Sequence, residues 1–451
     1  MARSSRPRSA ARKAPPSSNR PKPATGLITI ERLGLQGDGL GRWADGSAAY
    51  IPGALAGEIV HATPVSPRGD GWVGRIDHIA QTAAERQPAA CRHFLSCGGC
   101  VAQHLTPDAY VEWKRSRLTL ALARHDINPP GGTAAVALII SPTGGRRRLT
   151  LAALRTSGGV LLGFNGFHSD RLVDLAECPV ADPRLTALLP ALRIVLAELL
   201  PLRGQVDVSL TWVSGGADLL VRGGPALDLP AREKLVAFAE SADLARLSWQ
   251  AAGQGLEPVA ERRRPLLALP GAKPECGVPV PPGAFLQATP QGEAALLEAV
   301  LAGLPERGRV ADLFAGCGTF TLPVASRGHA VMAVEGDAGV LAALDRAARA
   351  GSLAVQTQTR DLAKRPLETD ELAGFAAVIL DPPRVGAAAQ MAILARSTVP
   401  RVISVSCNPD SFARDAAQLI DGGYRLTRLV AVDQFLWSAH LEVVGVFDQV
   451  D

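Results

Sequence analysis

Two residues near the end of the chain have the chemistry of a nucleophile and its base. Cys407, in Ser406-Cys407-Asn408-Pro409, directly follows the apolar run Arg401-Val402-Ile403-Ser404-Val405 and precedes a segment with helical spacing. Glu442, in His440-Leu441-Glu442-Val443-Val444, stands at the start of another apolar run. A thiol with a pKa of about 8.5 keeps only a few per cent thiolate at neutral pH, so an active Cys407 needs amides or a cation beside it. The same cysteine, taken alone, also suits core packing. Glu442 either faces solvent through strand alternation or is buried with a task, in which case its pKa moves toward neutrality and it can take a proton. His440 would orient it or fill the turn.

A second set of residues has the order of a nucleoside pocket. Asp312-Leu313-Phe314-Ala315-Gly316-Cys317-Gly318-Thr319-Phe320 follows a strand, and its glycines let the backbone turn tightly under a ligand. The loop is not GxGxxG, so it does not match a dinucleotide pyrophosphate cradle, and there is no Walker A motif. Glu335 ends the next strand, where a carboxylate can accept from both hydroxyls of a ribose, and Asp361 follows a third strand, where it could receive an adenine amino group. Asp381-Pro382-Pro383-Arg384 follows a fourth, with two prolines fixing the exit path and holding Asp381 toward the crevice. Acidic strand ends also cap helices. The ordered set favours an adenosyl nucleoside, and the carboxylates suit a sulfonium better than a pyrophosphate.

Three of the seven cysteines, Cys91, Cys97 and Cys100, fall within ten residues, and Cys178 precedes Pro179. Four thiolates with Gly98-Gly99 between two of them can wrap a metal centre, and the spacing alone leaves zinc and an iron–sulfur cluster equally open. Cys276 and Cys317 read as core thiols.

The elements that must position these groups change character along the chain. Residues 1–24 carry five arginines, two lysines and no acid, so the net charge of +4 is a tail effect and the rest sums to −3. This basic arm suits a disordered solubilising segment or a polyanion contact. Short glycine-punctuated strands over residues 28–79 predict a small β-barrel of OB-like character. The middle combines strands with a helix at residues 107–124, in which Val111, Leu118 and Leu122 form an apolar stripe while Lys114, Arg115 and Arg117 face elsewhere, as a solvated or RNA-facing basic surface. From about residue 285, helices alternate with apolar strands, which predicts an open α/β sheet covered on both faces and closed by two late antiparallel strands. Arg146-Arg147-Arg148 and Arg262-Arg263-Arg264 are further basic runs, and Phe164, Phe167 and His168 are weak base-stacking candidates. The N-terminal segment lacks the apolar core of a secretory signal and no run is long enough to span a membrane, so a cytoplasmic protein is expected.

Phe314 through Phe320, Asp381-Pro382-Pro383-Arg384, Ser406-Cys407-Asn408-Pro409 and His440-Leu441-Glu442 together resemble the bacterial RNA uracil-5 methyltransferase family, of the iron–sulfur 23S ribosomal RNA type. The resemblance spans residues 26–450. It implies an α/β class I methyltransferase domain of Rossmann-like fold at residues 281–451, a TRAM barrel at 25–82 and an α+β iron–sulfur domain at 83–280, after the arm at 1–24. It makes Cys407 the nucleophile and Glu442 the proton-abstracting base. Gln287, Phe314, Thr319, Glu335, Asp361 and Asp381 become contacts to S-adenosyl-L-methionine, and Cys91, Cys97, Cys100 and Cys178 become ligands of a 4Fe–4S cluster. Thr289 and Thr319 depart from the family, which commonly has asparagine at both places; neither hydroxyl supplies an amide fork.

The implied partner is RNA, 23S ribosomal RNA first and transfer RNA next, with no membrane, no obligate protein partner and a monomer expected. A non-enzymatic RNA-binding or ribosome-assembly protein would explain the barrel and basic runs but leave Cys407 and Glu442 without a joint purpose.

Overall fold

The computed structural model describes residues 21–167 and 169–450. Residues 1–20 of the basic arm and the stacking candidate His168 lie outside the described residues. The chain divides into two compact units, one of residues up to 88 together with 104–109, the other of residues 89–103 and 110 onward.

In the first unit, six strands pair in the order Gly26–Thr29, Ile59–Arg68, Gly71–Gln81, Ala48–Pro52, Asp38–Arg42 and Arg32–Leu33. The first and last of these are separated by two residues, and the Glu31 N–H donates to the Leu40 carbonyl at 2.8 Å, so one stretch of chain pairs with both edges and the sheet closes into a barrel. Ile28, Ile30, Trp43, Ile51 and Val60 fill it. Closure removes the open edges that would otherwise pair with other chains.

The second unit contains two large sheets. Seven strands between Arg148 and Glu261 form a sheet that is antiparallel except for one parallel pair, Gly216–Gly224 with Arg246–Ala251. Helices Leu189–Leu199 and Leu229–Ser241 share its core, around Trp249, Leu196 and Leu235.

The other sheet has eight strands, in the spatial order Val355–Thr359, Ala330–Glu335, Arg309–Leu313, Ala377–Leu380, Arg401–Ser406, Glu442–Gln449, Tyr424–Asp433 and Ala137–Ile140. The first five are mutually parallel and Glu442–Gln449 runs against both of its neighbours. Its strands are apolar on both faces: Val378 and Leu380 enter one core with helices Ala388–Leu394 and Pro409–Asp421, while Ala377 and Ile379 enter the other with helix Pro290–Ala302. Burial on both sides explains the unbroken hydrophobic runs. Chain order reverses between Arg309–Leu313 and Ala377–Leu380, and in open sheets the crevice at such a reversal, at the carboxyl ends of the strands, receives ligands. The α/β sheet and its antiparallel end are as the sequence predicts. Ala137–Ile140, far earlier in the chain, completes its edge by pairing parallel to Tyr424–Asp433.

The helix Pro107–Ala123 forms, but its basic residues do not make a solvated face. Lys114 is fully buried, with Nζ donating to Asp433 at 2.9 Å, and Arg117 is 7% exposed. The expectation of an RNA-facing Lys114 is therefore overturned: its compensating carboxylate comes from a strand more than 300 residues away, which no helical pattern reveals. Removing one partner of such a buried pair typically costs about 3–5 kcal/mol. The other basic runs are likewise engaged. Arg147 is buried against Glu293 at 2.6 Å, and Arg262 and Arg263 share Asp243 at 2.6 and 2.8 Å.

Candidate active site

Three adjacent strand ends assemble the reactive groups. Arg401–Ser406 leads into Cys407, after which Asn408 caps helix Pro409–Asp421, its Oδ1 accepting from the Asp410 N–H at 3.2 Å with Pro409 in the first helical position. Ser406 lies opposite Val443 in the antiparallel pair with Glu442–Gln449, so Cys407 and Glu442 are the next residues on neighbouring strands. Asp381 ends the strand on the other side of Cys407.

Burial dominates the electrostatics here. The half-buried Cys407 thiol is pushed up to about 12, first by desolvation and then by the charges of Glu442 and Asp381, against a smaller pull from its own amide and Arg384. Burial raises Glu442, which is 3% exposed, to about 8, with the Asp381 charge adding to it. Asp381 rises to about 7 through burial. Two carboxyls that would otherwise be ionised are thus brought to titrate around neutrality beside a protonated thiol, the arrangement found where proton transfer is controlled.

An ordered amide relay joins the two carboxyls. The Ala288 N–H donates to Gln434 Oε1 at 2.7 Å, which fixes that amide's orientation. Gln434 Nε2 then donates to Glu442 Oε1 at 2.9 Å and to Gln287 Oε1 at 2.7 Å, and Gln287 Nε2 donates to Asp381 Oδ2 at 3.0 Å. Both donations favour the ionised carboxylates and oppose the desolvation. Gln434 was not singled out from the sequence; its one signal is a polar residue directly after a buried strand.

The glycine loop makes the other half of the site. Phe314 has φ of 63°, a left-handed conformation that costs a bulky residue about 1–3 kcal/mol and that tends to persist at ligand sites. Gly318 has φ of 85°, and a side chain there would meet Leu344 at 2.9 Å. The Gly316 N–H donates to Glu335 Oε2 at 3.1 Å and the Asp337 N–H to Oε1 at 2.9 Å, so the half-buried Glu335 carboxylate is held against the loop. Thr319 is half-buried in the same loop. Asp312, fully buried, accepts from the Thr321 hydroxyl at 2.5 Å on Oδ2 while Oδ1 is unsatisfied; burial raises it to about 7, and the charges of Asp381 and Glu335 add to this. Asp361 is placed beside Glu335 along the backbone, but its exposed carboxylate pairs with Lys364 at 2.8 Å and joins no network with the others. Thr289 has work of its own: it caps helix Pro290–Ala302, accepting from the Gly292 N–H at 2.9 Å.

Cys91, Cys97, Cys100 and Cys178 are half-buried and free of disulfides. The Cys100 thiol, raised to about 12 mainly by desolvation, is also raised by the charges of the other three. The His93 and Gly99 N–H groups point to the Cys91 and Cys97 sulfurs at 3.4 Å each. Among the described residues no group of three or more His, Cys, Asp or Glu side chains could hold a metal ion. The same segment is fastened to the loop that precedes Glu442, because the Val101 and Ala102 N–H groups both donate to the Trp437 carbonyl, at 2.7 and 3.1 Å. Tyr110 accepts from the Trp437 N–H at 2.7 Å, and Lys114 donates to the His440 carbonyl at 2.5 Å. His440 therefore serves the loop's backbone, its ring edge against Phe435.

Comparison with known proteins places this geometry. The sequence profile described as tRNA (Uracil-5-)-methyltransferase matches residues 281–450. A 23S rRNA (uracil(1939)-C(5))-methyltransferase of Halomonas elongata is 34% identical over 94% of the chain and 89% of that protein. The chain belongs to the RNA uracil-5 methyltransferase family. Uncharacterized RNA methyltransferases of Brucella suis and Caulobacter vibrioides are 42% and 40% identical, over 94% and 93% of the chain and 97% and 99% of their own lengths. The crystal structure of the Pyrococcus abyssi tRNA (uracil-54, C5)-methyltransferase in complex with S-adenosyl-L-homocysteine has the same fold, with a TM-score of 0.73 at 22% identity over 93% of the chain and 99% of that chain. As a uracil-5 methyltransferase, the protein uses S-adenosyl-L-methionine as methyl donor and RNA as acceptor. Among the described residues of this methyltransferase, no helix is long and apolar enough to cross a membrane.

Proposed function

We propose that the protein methylates carbon 5 of a uridine in 23S ribosomal RNA, in the cytoplasm, through a covalent adduct with Cys407. The observation that carries this reading is the strand register that sets Cys407 next to Glu442 and beside Asp381. Carbon 5 of uracil is a poor nucleophile. Addition of the Cys407 sulfur to carbon 6 makes an enolate whose carbon 5 attacks the sulfonium methyl, leaving S-adenosyl-L-homocysteine. Glu442 then takes the carbon 5 proton, the electron pair re-forms the 5,6 double bond, and the carbon–sulfur bond breaks to release Cys407. Because the thiol starts protonated, its proton passes to water as sulfur adds, and the thiolate freed at the end takes one back, so that the cycle releases one proton in all. Gln434 keeps Glu442 aimed and lowers the cost of its ionised form.

Phe314, Thr319, Glu335 and Asp361 would line the nucleoside end of the donor, and Gln287 and Asp381 the end nearest the reacting carbon. The Halomonas relative's stated substrate supports 23S over transfer RNA. Mapping 5-methyluridine in total RNA from cells with and without the gene tests this: loss of one 23S site is expected, loss of a transfer RNA site would shift the target, and no loss would end the proposal.

Cys91, Cys97, Cys100 and Cys178 would together hold a 4Fe–4S centre, as the resemblance implies. They act on one another electrostatically, and four thiolates suit a cluster as well as zinc, so the iron–sulfur reading rests on the family resemblance. N–H groups aimed at two of the sulfurs match the hydrogen bonding that tunes such clusters. Bound there, the centre would supply a rigid cross-link beneath the Trp437 loop; methyl transfer itself needs no external electron. Anaerobically purified protein should contain about four iron and four sulfide per chain. One zinc without sulfide would decide against the cluster. The closed N-terminal sheet would correspond to the TRAM barrel and contribute RNA contacts.

A further inference from the structure

Two of the buried cations around the catalytic loop are balanced by carboxylates. Lys114 is matched by Asp433 and Arg147 by Glu293, each pair buried and hydrogen bonded. Arg117, one helical turn beyond Lys114, is 7% exposed, and its Nε and Nη1 are buried without a hydrogen-bond partner. The carboxylates within its electrostatic reach are engaged elsewhere: Asp433 with Lys114 and Tyr110, Asp410 with Arg124 at 2.7 Å. The face of Trp113 lies 5.7 Å from the guanidinium, an attraction far smaller than the desolvation of a full charge. A guanidinium cannot escape the problem by losing its proton.

The surroundings add positive charge instead of relieving it. Arg384, exposed in the turn after Asp381-Pro382-Pro383, acts on Arg117 as a like charge and also on the Cys407 thiol. His440 senses Arg384, Lys114, Arg117 and Arg146 together. Two buried, unsatisfied donors of Arg117 beside a second arginine, itself within electrostatic reach of the Cys407 thiol, have the chemistry of an anion site. The substrate is a polyanion, and guanidinium donors match phosphate oxygens in pairs.

We propose that Arg117, with Arg384 at the rim, binds a phosphate group of the RNA adjoining the uridine that enters the Cys407 site. This rests on the uridine reading above. Arg117→Met removes the charge at nearly constant volume. The variant should unfold at the same temperature as the wild type or higher, since an uncompensated buried charge is relieved, and bind S-adenosyl-L-homocysteine unchanged. Its affinity for unmethylated 23S RNA transcript should fall about tenfold, and its salt dependence should lose about one phosphate contact. Arg117→Lys, which keeps charge without the fork, should fall between.

The deciding measurement uses an RNA fragment spanning the uridine that the wild type methylates, with single neutral methylphosphonate linkages on either side. One linkage should weaken wild-type binding about tenfold and leave Arg117→Met unaffected. Equal RNA binding by the variant and the wild type, or a linkage effect that persists undiminished in the variant, overturns the phosphate site. A lowered melting temperature with intact RNA binding also overturns it, making Arg117 a packing residue. If the wild type forms no 5-methyluridine at all, the proposed function fails and takes this inference with it; if it does and only the linkage test fails, the function stands.

Discussion

Cys407→Ser protein is expected to bind RNA and the methyl donor normally while its 5-methyluridine formation drops by about 10⁴-fold or more, measured by transfer of labelled methyl groups. Serine offers the same reach with a far weaker nucleophile, and the desolvation and negative neighbours that hold the thiol at about 12 would oppose a serine alkoxide still more strongly. Wild-type protein should also form a stable adduct with RNA containing 5-fluorouridine, whose carbon 5 cannot release a proton, and the serine variant should form none. Turnover retained by the serine variant would remove Cys407 from the reaction, whatever its position.

Glu442→Gln should stop the cycle one step later. Sulfur addition and methyl transfer proceed, but the carbon 5 proton has no acceptor, so a methylated protein–RNA adduct accumulates and turnover falls by about 10² to 10⁴-fold. The substitution keeps an oxygen for Gln434 Nε2, so the relay survives. The pH dependence has a definite sign. Burial and the Asp381 charge raise Glu442 to about 8, so its base form grows as pH rises, and wild-type kcat/KM should climb about tenfold per pH unit below 8 and then level. The same raised pKa makes folding less favourable as pH rises from the unfolded carboxyl range toward 8, so Glu442→Gln should melt higher than wild type at pH 8 and lose that advantage toward pH 4. Free product release by the variant at the wild-type rate would assign the proton to another group.

What could be read in the sequence follows from locality. The glycine loop, Glu335, Asp381 and Cys407 each follow an apolar strand within a few residues, so chain order alone predicts that they gather at one edge of a parallel sheet. The contacts that tune them are not local. Lys114 carries no mark that distinguishes it from Arg115, which stays half-exposed, because Asp433 decides between them from across the fold. Gln434 is an unremarkable amide until Ala288 fixes its direction. Asp361 illustrates the converse, a residue in the expected place whose carboxylate is occupied by Lys364. Thr289 departs from the family pattern, and the cap it forms on helix Pro290–Ala302 gives the hydroxyl a purpose that a comparison of motifs misses.

The edge strand Ala137–Ile140 bears on any attempt to isolate the catalytic half. A fragment cut at the profile's first residue, 281, would lose this strand, baring the backbone of Tyr424–Asp433 along the side of the sheet, and would lose Lys114, stranding the Asp433 carboxylate in an apolar interior. Such a piece would be prone to self-association and poorly soluble. A minimal excised catalyst, or a chimera grafting this half onto another RNA-targeting module, would have to carry residues 110–140 along as part of its own core.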